Sequence, residues 1–69
     1  MAYNYSKLLG RIIEKFETQG KFADAMGMSE RSLTLKLHNE REFKQSEIHK
    51  ACQLLDIDMA DSGLYFFTI

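Results

Sequence analysis

The stretch Thr18–His38 constrains the fold more than any other part of the chain. Thr18 is suited to cap a helix over Gln19–Met26, because its hydroxyl can take a backbone N–H that a helix start leaves orphaned. Within that helix Phe22, Ala23 and Met26 share the inward face. Gly27 follows, where a positive φ ends the helix without steric cost. Met28 fills the wedge of the turn, and Ser29 caps a third helix. Glu30 then meets the positive end of that helix's dipole. Leu33 and Leu37 lie one turn apart and face inward, with Leu33 anchored against Phe22. Ala23 is small where the two helices cross. The pattern is helix, glycine turn and helix within about twenty residues, which is the helix-turn-helix unit.

The flanks read as further helices. Leu8, Leu9, Ile12, Ile13 and Phe16 form one apolar stripe, with Lys7, Arg11, Glu14 and Lys15 outward. Gly10 lies inside this helix at a cost of about 1 kcal/mol relative to alanine, which suits a place where another backbone packs close. Asn39 and Glu40-Arg41-Glu42 read as a loop. A fourth helix over Gln45–Leu55 buries Ile48, Ala51, Cys52 and Leu55. Ile57 and Met59 open a short fifth helix, Ser62-Gly63 breaks it, and Leu64–Ile69 is an apolar, extended tail. The expectation is one all-α domain over residues 1–69, with four or five short helices. Two roles stand open for the tail: closing the core through Tyr65 and Phe66, or offering an edge to a partner.

Composition narrows the function classes. With 45% apolar residues, five Phe and three Tyr, the chain has the material for a core and is not a disordered segment. Its one cysteine, Cys52, allows no intrachain disulfide and fits a reducing interior. Met1–Tyr5 lacks the basic and apolar regions of a secretory signal, and no apolar run reaches bilayer length. The chain reads as cytoplasmic, with no membrane partner. His49 and Cys52 have a spacing that brings two ligands together on a helix, but the rest of a zinc set is missing. Cys52 falls on the buried stripe and His49 on the surface. His38 is placed to interact with the end of the third helix. With no nucleophile beside an activating base and no phosphate loop, the chain reads as neither an enzyme nor a binder of metal, cofactor or small-molecule substrate.

Charge is the feature at odds with a DNA-bound life. The net value is −1. All nine Lys and Arg lie within residues 1–55, against seven acids there, while Asp56, Asp58 and Asp61 make the remainder acidic. Non-specific phosphate binding grows with the number of phosphates neutralised, so little of it is expected.

Thr18-Gln19-Gly20-Lys21-Phe22-Ala23-Asp24-Ala25-Met26-Gly27-Met28-Ser29 resembles the core of the lambda-repressor-like helix-turn-helix superfamily, in a register that holds to about Leu55. The whole chain resembles the small Cro-like and modulator-of-repression proteins of temperate phages. The residues that carry this likeness are Asn4–Leu8, Gly10–Ile13, Ser29–Leu33 and Tyr65–Phe67. The resemblance implies a recognition face on the third helix: Glu30, Arg31, Ser32, Thr34 and Leu35. Arg31 would bond a guanine edge bidentately, Glu30 a cytosine amine, Ser32 or Thr34 either edge, and Leu35 a thymine methyl. Gln19 resembles a phosphate-contacting glutamine, and Lys21, Lys36, Arg41 and Lys44 are candidate phosphate ligands. For Arg31 and Glu30, membership in ordinary surface ion pairs is the competing reading.

Two functions follow. One is an antirepressor or Cro-like regulator of a phage lysis-lysogeny switch that engages the partner phage repressor. The other is a stand-alone Cro-type repressor, whose homodimer reads operator DNA in successive major grooves. The near-neutral charge, Glu30 at the head of the third helix and the outward Leu35 favour a protein target; the motif favours DNA.

Overall fold

The computed structural model describes residues 2–69. The elements in chain order are α1 (Ser6–Phe16), α2 (Gln19–Met26), α3 (Glu30–Leu37), α4 (Gln45–Leu55), a 3-10 turn (Met59–Asp61) and α5 (Ser62–Phe66). No strand occurs among the described residues, so the chain is all-helical. The Cα radius of gyration is 10.7 Å.

Leu8 and Ile12 of α1, Phe22, Ala23 and Met26 of α2, and Leu33 of α3 meet in the core. Ile48, Ala51, Cys52 and Leu55 of α4 and Phe66 of α5 complete it. Most helix ends have local causes. Asn4 Oδ1 accepts from Ser6 N at 2.9 Å, which tethers the start of α1. At its far end Glu17 adopts φ 71° and ψ −41°, and Thr18 N bonds Phe16 O at 2.8 Å. That is a γ-turn in the strained, positive-φ form. Thr18 Oγ1 then caps α2 by accepting from Lys21 N at 3.1 Å.

The turn after α2 has the geometry expected of it. Gly27 is left-handed, with φ 75°. Gly27 N donates to Asp24 O at 3.1 Å and Met28 N to Ala23 O at 3.0 Å, the paired bonds of a Schellman motif. Ser29 Oγ caps α3 by accepting from Ser32 N at 3.1 Å. Lys44 N donates to Glu47 Oε1 at 2.9 Å at the start of α4. At the end of α4, Arg11 gives Nε to Leu55 O at 2.9 Å and Nη2 to Asp56 O at 3.2 Å. Two otherwise open carbonyls are thereby satisfied.

Four expectations fail. Ile13 is exposed rather than inward, because Leu8, Ile12 and the half-buried Phe16 already supply the core-facing stripe of α1. Gly10 is also exposed, and nothing lies within 4 Å of the position a methyl would take, so no close backbone approach explains it. Ser62 and Gly63 do not break the chain. Asp58 Oδ1 accepts from Ala60 N at 3.0 Å, and the 3-10 turn runs straight into α5. Leu64–Phe66 is therefore helical, not extended, and turns Phe66 into the core against Phe43, ring centroids 5.2 Å apart. Tyr65 is half-buried, while Leu64, Phe67 and Ile69 remain exposed.

The two ends of the chain are tied together. Asn39, left-handed at φ 64°, accepts from Tyr3 N at 2.8 Å and donates Nδ2 to Tyr3 O at 2.9 Å. Asn4 N donates to Thr68 O at 2.6 Å. The segment before α1 is thus strapped between the end of α3 and the residues after α5.

Candidate recognition surface

Core packing sets the orientation of α3. Leu33 is fully buried and Leu37 half-buried against the core, which turns Arg31 and Leu35 to the opposite side and leaves Thr34 on the flank between. Arg31 is exposed, and no carboxylate among the described residues lies within ion-pair distance of it. Thr34 and Leu35 are half-buried. Arg31 and Leu35 stand one turn apart, so the face offers a cation, an apolar side chain and a hydroxyl side by side.

Glu30 occupies a particular place. A methyl group on Gly20 would lie 3.1 Å from Glu30 Oε1, so the carboxylate rests against the first turn of α2. That end of the helix carries positive partial charge and orphan N–H groups, which favour an anion there. Gln19 is half-buried beside it, and Lys21 is exposed with Nζ 3.7 Å from Glu17 Oε1. Ser32 is half-buried, its Oγ accepting from Ser29 Oγ at 3.0 Å.

Lys36 is not on this surface. Its side chain is 9% exposed, and Nζ donates to Glu47 Oε1 at 2.9 Å and to Glu42 O at 3.2 Å. Three residues after Leu33, it falls on the side of α3 that faces α4, where Glu47 already sits to cap that helix. Lys36 is thus a structural ion pair and not a phosphate ligand. Burial alone would raise the Glu47 carboxyl; the hydrogen bond from Lys36, the N–H of Lys44 and the two lysine charges outweigh it and hold the group below the ordinary carboxylate value. Sequence reasoning missed Glu47 as this partner. The signal was a glutamate in the third position of α4, where a side chain reaches back to the helix start.

Arg41 and Lys44 are exposed at and beyond the end of α3. The backbone N–H groups of Glu40 and Arg41 both reach Leu35 O, at 2.9 and 3.3 Å, which folds this loop against the last turn of α3.

A family model covers residues 1–69, and the chain belongs to that family, described as "Protein of unknown function (DUF739)". Among solved structures the chain is similar to the modulator of repression (MOR) of the temperate bacteriophage TP901-1 from Lactococcus lactis. The two share 49% identity with a TM-score of 0.84, over 97% of this chain and 90% of that one. No match was found among curated proteins.

Proposed function

We propose that this chain is a phage regulatory protein that modulates repression by binding a partner repressor through the outward face of α3. In this reading α2, the Gly27 turn and α3 form a helix-turn-helix unit of the lambda-repressor-like type whose target is a protein. The likeness to a phage modulator of repression supports the regulatory role. The observation that carries the choice of target is the Glu30 carboxylate lying against the first turn of α2. A DNA phosphate received there would meet a resident negative charge, whereas a basic surface on a repressor would gain from it. Lys36 is withdrawn into its pair with Glu47, which removes one of the cations a phosphate backbone would use. Arg31, Thr34 and Leu35 form the centre of the contact, with Gln19, Lys21, Glu30 and Ser32 at its edge.

One observation favours direct operator reading instead. Arg31 projects from the exposed side of α3 with no ion-pair partner, as a side chain bound for a guanine edge would.

A paired titration separates the two. The protein is titrated against the DNA between its gene and the neighbouring repressor gene, at low and moderate salt, with and without that repressor. The proposal predicts no salt-sensitive DNA binding by the protein alone, and a complex that contains the repressor or releases it from DNA. Tight binding to DNA alone, falling steeply with salt, would overturn it. Glu30→Gln adds a second readout: it should weaken the repressor complex, and a tighter complex would count against the role given to the carboxylate.

A further inference from the structure

Beside the end of α3 a cavity of about 400 Å³ opens between the strapped N-terminal segment, the Asn39–Phe43 loop and the residues after α5. Its size falls at the lower end of the range for ligand-binding cavities, about 300–1,000 Å³. Tyr3, Phe43, Phe66 and Phe67 wall it, and Arg41 stands at its edge. The rings brace one another edge to face: Tyr3 against Phe67 at 5.8 Å, Tyr5 against Phe43 at 5.4 Å and Phe43 against Phe66 at 5.2 Å between centroids.

Tyr5 also lines this cavity. Its residue is only 9% exposed, while its hydroxyl, which makes no hydrogen bond among the described residues, is open to solvent. Burial, then the neighbouring Tyr3 and Glu42, push its ionisation above the ordinary value, so it remains a donor at neutral pH. A buried tyrosine ring with a solvent-reached hydroxyl at an aromatic-walled space provides both an apolar seat and a polar mark.

We propose that this cavity receives a large aromatic side chain from the protein that covers α3, with Tyr5 and Arg41 contacting its polar tip and neighbouring acceptors. This rests on the reading of α3 as a protein-binding face. Continuity supports it, because the loop that carries Arg41 is hydrogen-bonded to Leu35 O. A stable interface takes about 800 Å² from each partner, and the whole chain exposes 4482 Å². The outward side of an eight-residue helix supplies a small part of that requirement, and the adjoining aromatic wall with exposed Phe67 and Met59 extends it. Aromatic, Met and Arg side chains are the types enriched at the centres of such contacts.

Other occupants fit less well. Arg41 and Glu42 stand together at the cavity with opposite charge, which is not the positive funnel that leads a nucleobase and its phosphates into a site. For a second copy to fill it, Phe67, the strongly exposed aromatic among the described residues, would have to leave its edge contact with Tyr3 in its own wall.

The test uses the repressor encoded beside this chain's gene, titrated calorimetrically against wild type, Tyr5→Phe, Phe67→Ala and Leu35→Asp, each first shown to be folded by its amide spectrum. Tyr5→Phe should weaken the complex about three- to tenfold, the worth of one hydrogen bond. Phe67→Ala should weaken it about tenfold or more. In parallel, p-cresol is titrated into the free protein and should shift the signals of Tyr5, Phe43 and Phe66 saturably. If Leu35→Asp abolishes the complex while Tyr5→Phe and Phe67→Ala leave it intact, this inference fails and the reading of α3 stands. If the repressor binds no form of the protein, both fail. Shifts with p-cresol without any effect of the variants on the complex would mean adventitious binding only, and concentration-dependent dimerisation that Phe67→Ala removes would assign the wall to a second copy instead.

Discussion

Replacing Lys36 with methionine separates two roles that the sequence alone runs together, phosphate ligand and buried structural cation. Lys36 is 9% and Glu47 21% exposed at the side chain, with Nζ 2.9 Å from Oε1. Removing one partner of a fully buried pair costs about 3–5 kcal/mol, because the other charge is left uncompensated. Glu47 retains the N–H of Lys44 at 2.9 Å and some contact with water, which lowers the expected cost to about 2–3 kcal/mol. In a domain of this size that is a fall in Tm of roughly 10–20 °C. Removing both charges, as Lys36→Met with Glu47→Met, should recover most of the loss, short of about 1 kcal/mol for the cap on Lys44 N–H.

The pH dependence has a fixed sign. The folded Glu47 carboxyl lies below its ordinary value, so its contribution is fully present above the unfolded value of about 4.3 and is lost as the pH falls through the lowered folded value. Thermal unfolding followed by circular dichroism at pH 7 and pH 3 should therefore show a large gap between wild type and Lys36→Met at the higher pH and a smaller one at the lower. Repressor binding by the folded variant should be unchanged. An unaltered Tm at pH 7, or lost binding in a protein of unaltered stability, would refute the assignment.

Three further substitutions probe the backbone. Gly10→Ala should raise stability by about 0.5–1 kcal/mol, since the position is helical, exposed and free of neighbours within 4 Å; denaturant unfolding would show it. Gly27→Ala should lower stability by about 1–2 kcal/mol, because φ is 75° there and a Cβ is penalised in that conformation. Asn39→Gly keeps the left-handed backbone open to the chain but deletes both bonds to Tyr3. It should cost about 1–2 kcal/mol, with faster hydrogen exchange in the strapped segment before α1.

Much of the scaffold was legible because it is written in local chemistry. Thr18, Gly27 and Ser29 bound α2 and the start of α3 through capping bonds made within a few residues, and those bonds form as the residue types imply. The buried stripe of α4 follows from 3.6-residue spacing alone. Most of the failures have a different cause and depend on neighbours distant in sequence. Lys36 resembles any outward lysine until Glu47 is brought opposite it. Ile13 continues an apolar run that α1 has no further neighbour to cover. Ser62-Gly63 has the composition of a break, yet the cap from Asp58 and the burial of Phe66 carry a helix through it. For the candidate recognition face, the exposure of Arg31 followed from the inward turn of Leu33 and Leu37, while the half-burial of Thr34 and Leu35 did not. The Glu30 carboxylate against Gly20 did not, because it joins two helices across the turn. The aromatic cavity was equally hidden, since its walls come from both ends of the chain and from the loop after α3.

The measurement that bears most directly on α3 as a protein-binding face is a titration of the neighbouring repressor into the isotopically labelled chain, with Leu35→Asp in parallel. Arg31, Thr34 and Leu35 should show the largest amide shifts, and Leu35→Asp should lose about tenfold or more in affinity while its own spectrum stays that of a folded protein. Full affinity in Leu35→Asp, with shifts confined to surfaces away from α3, would contradict it.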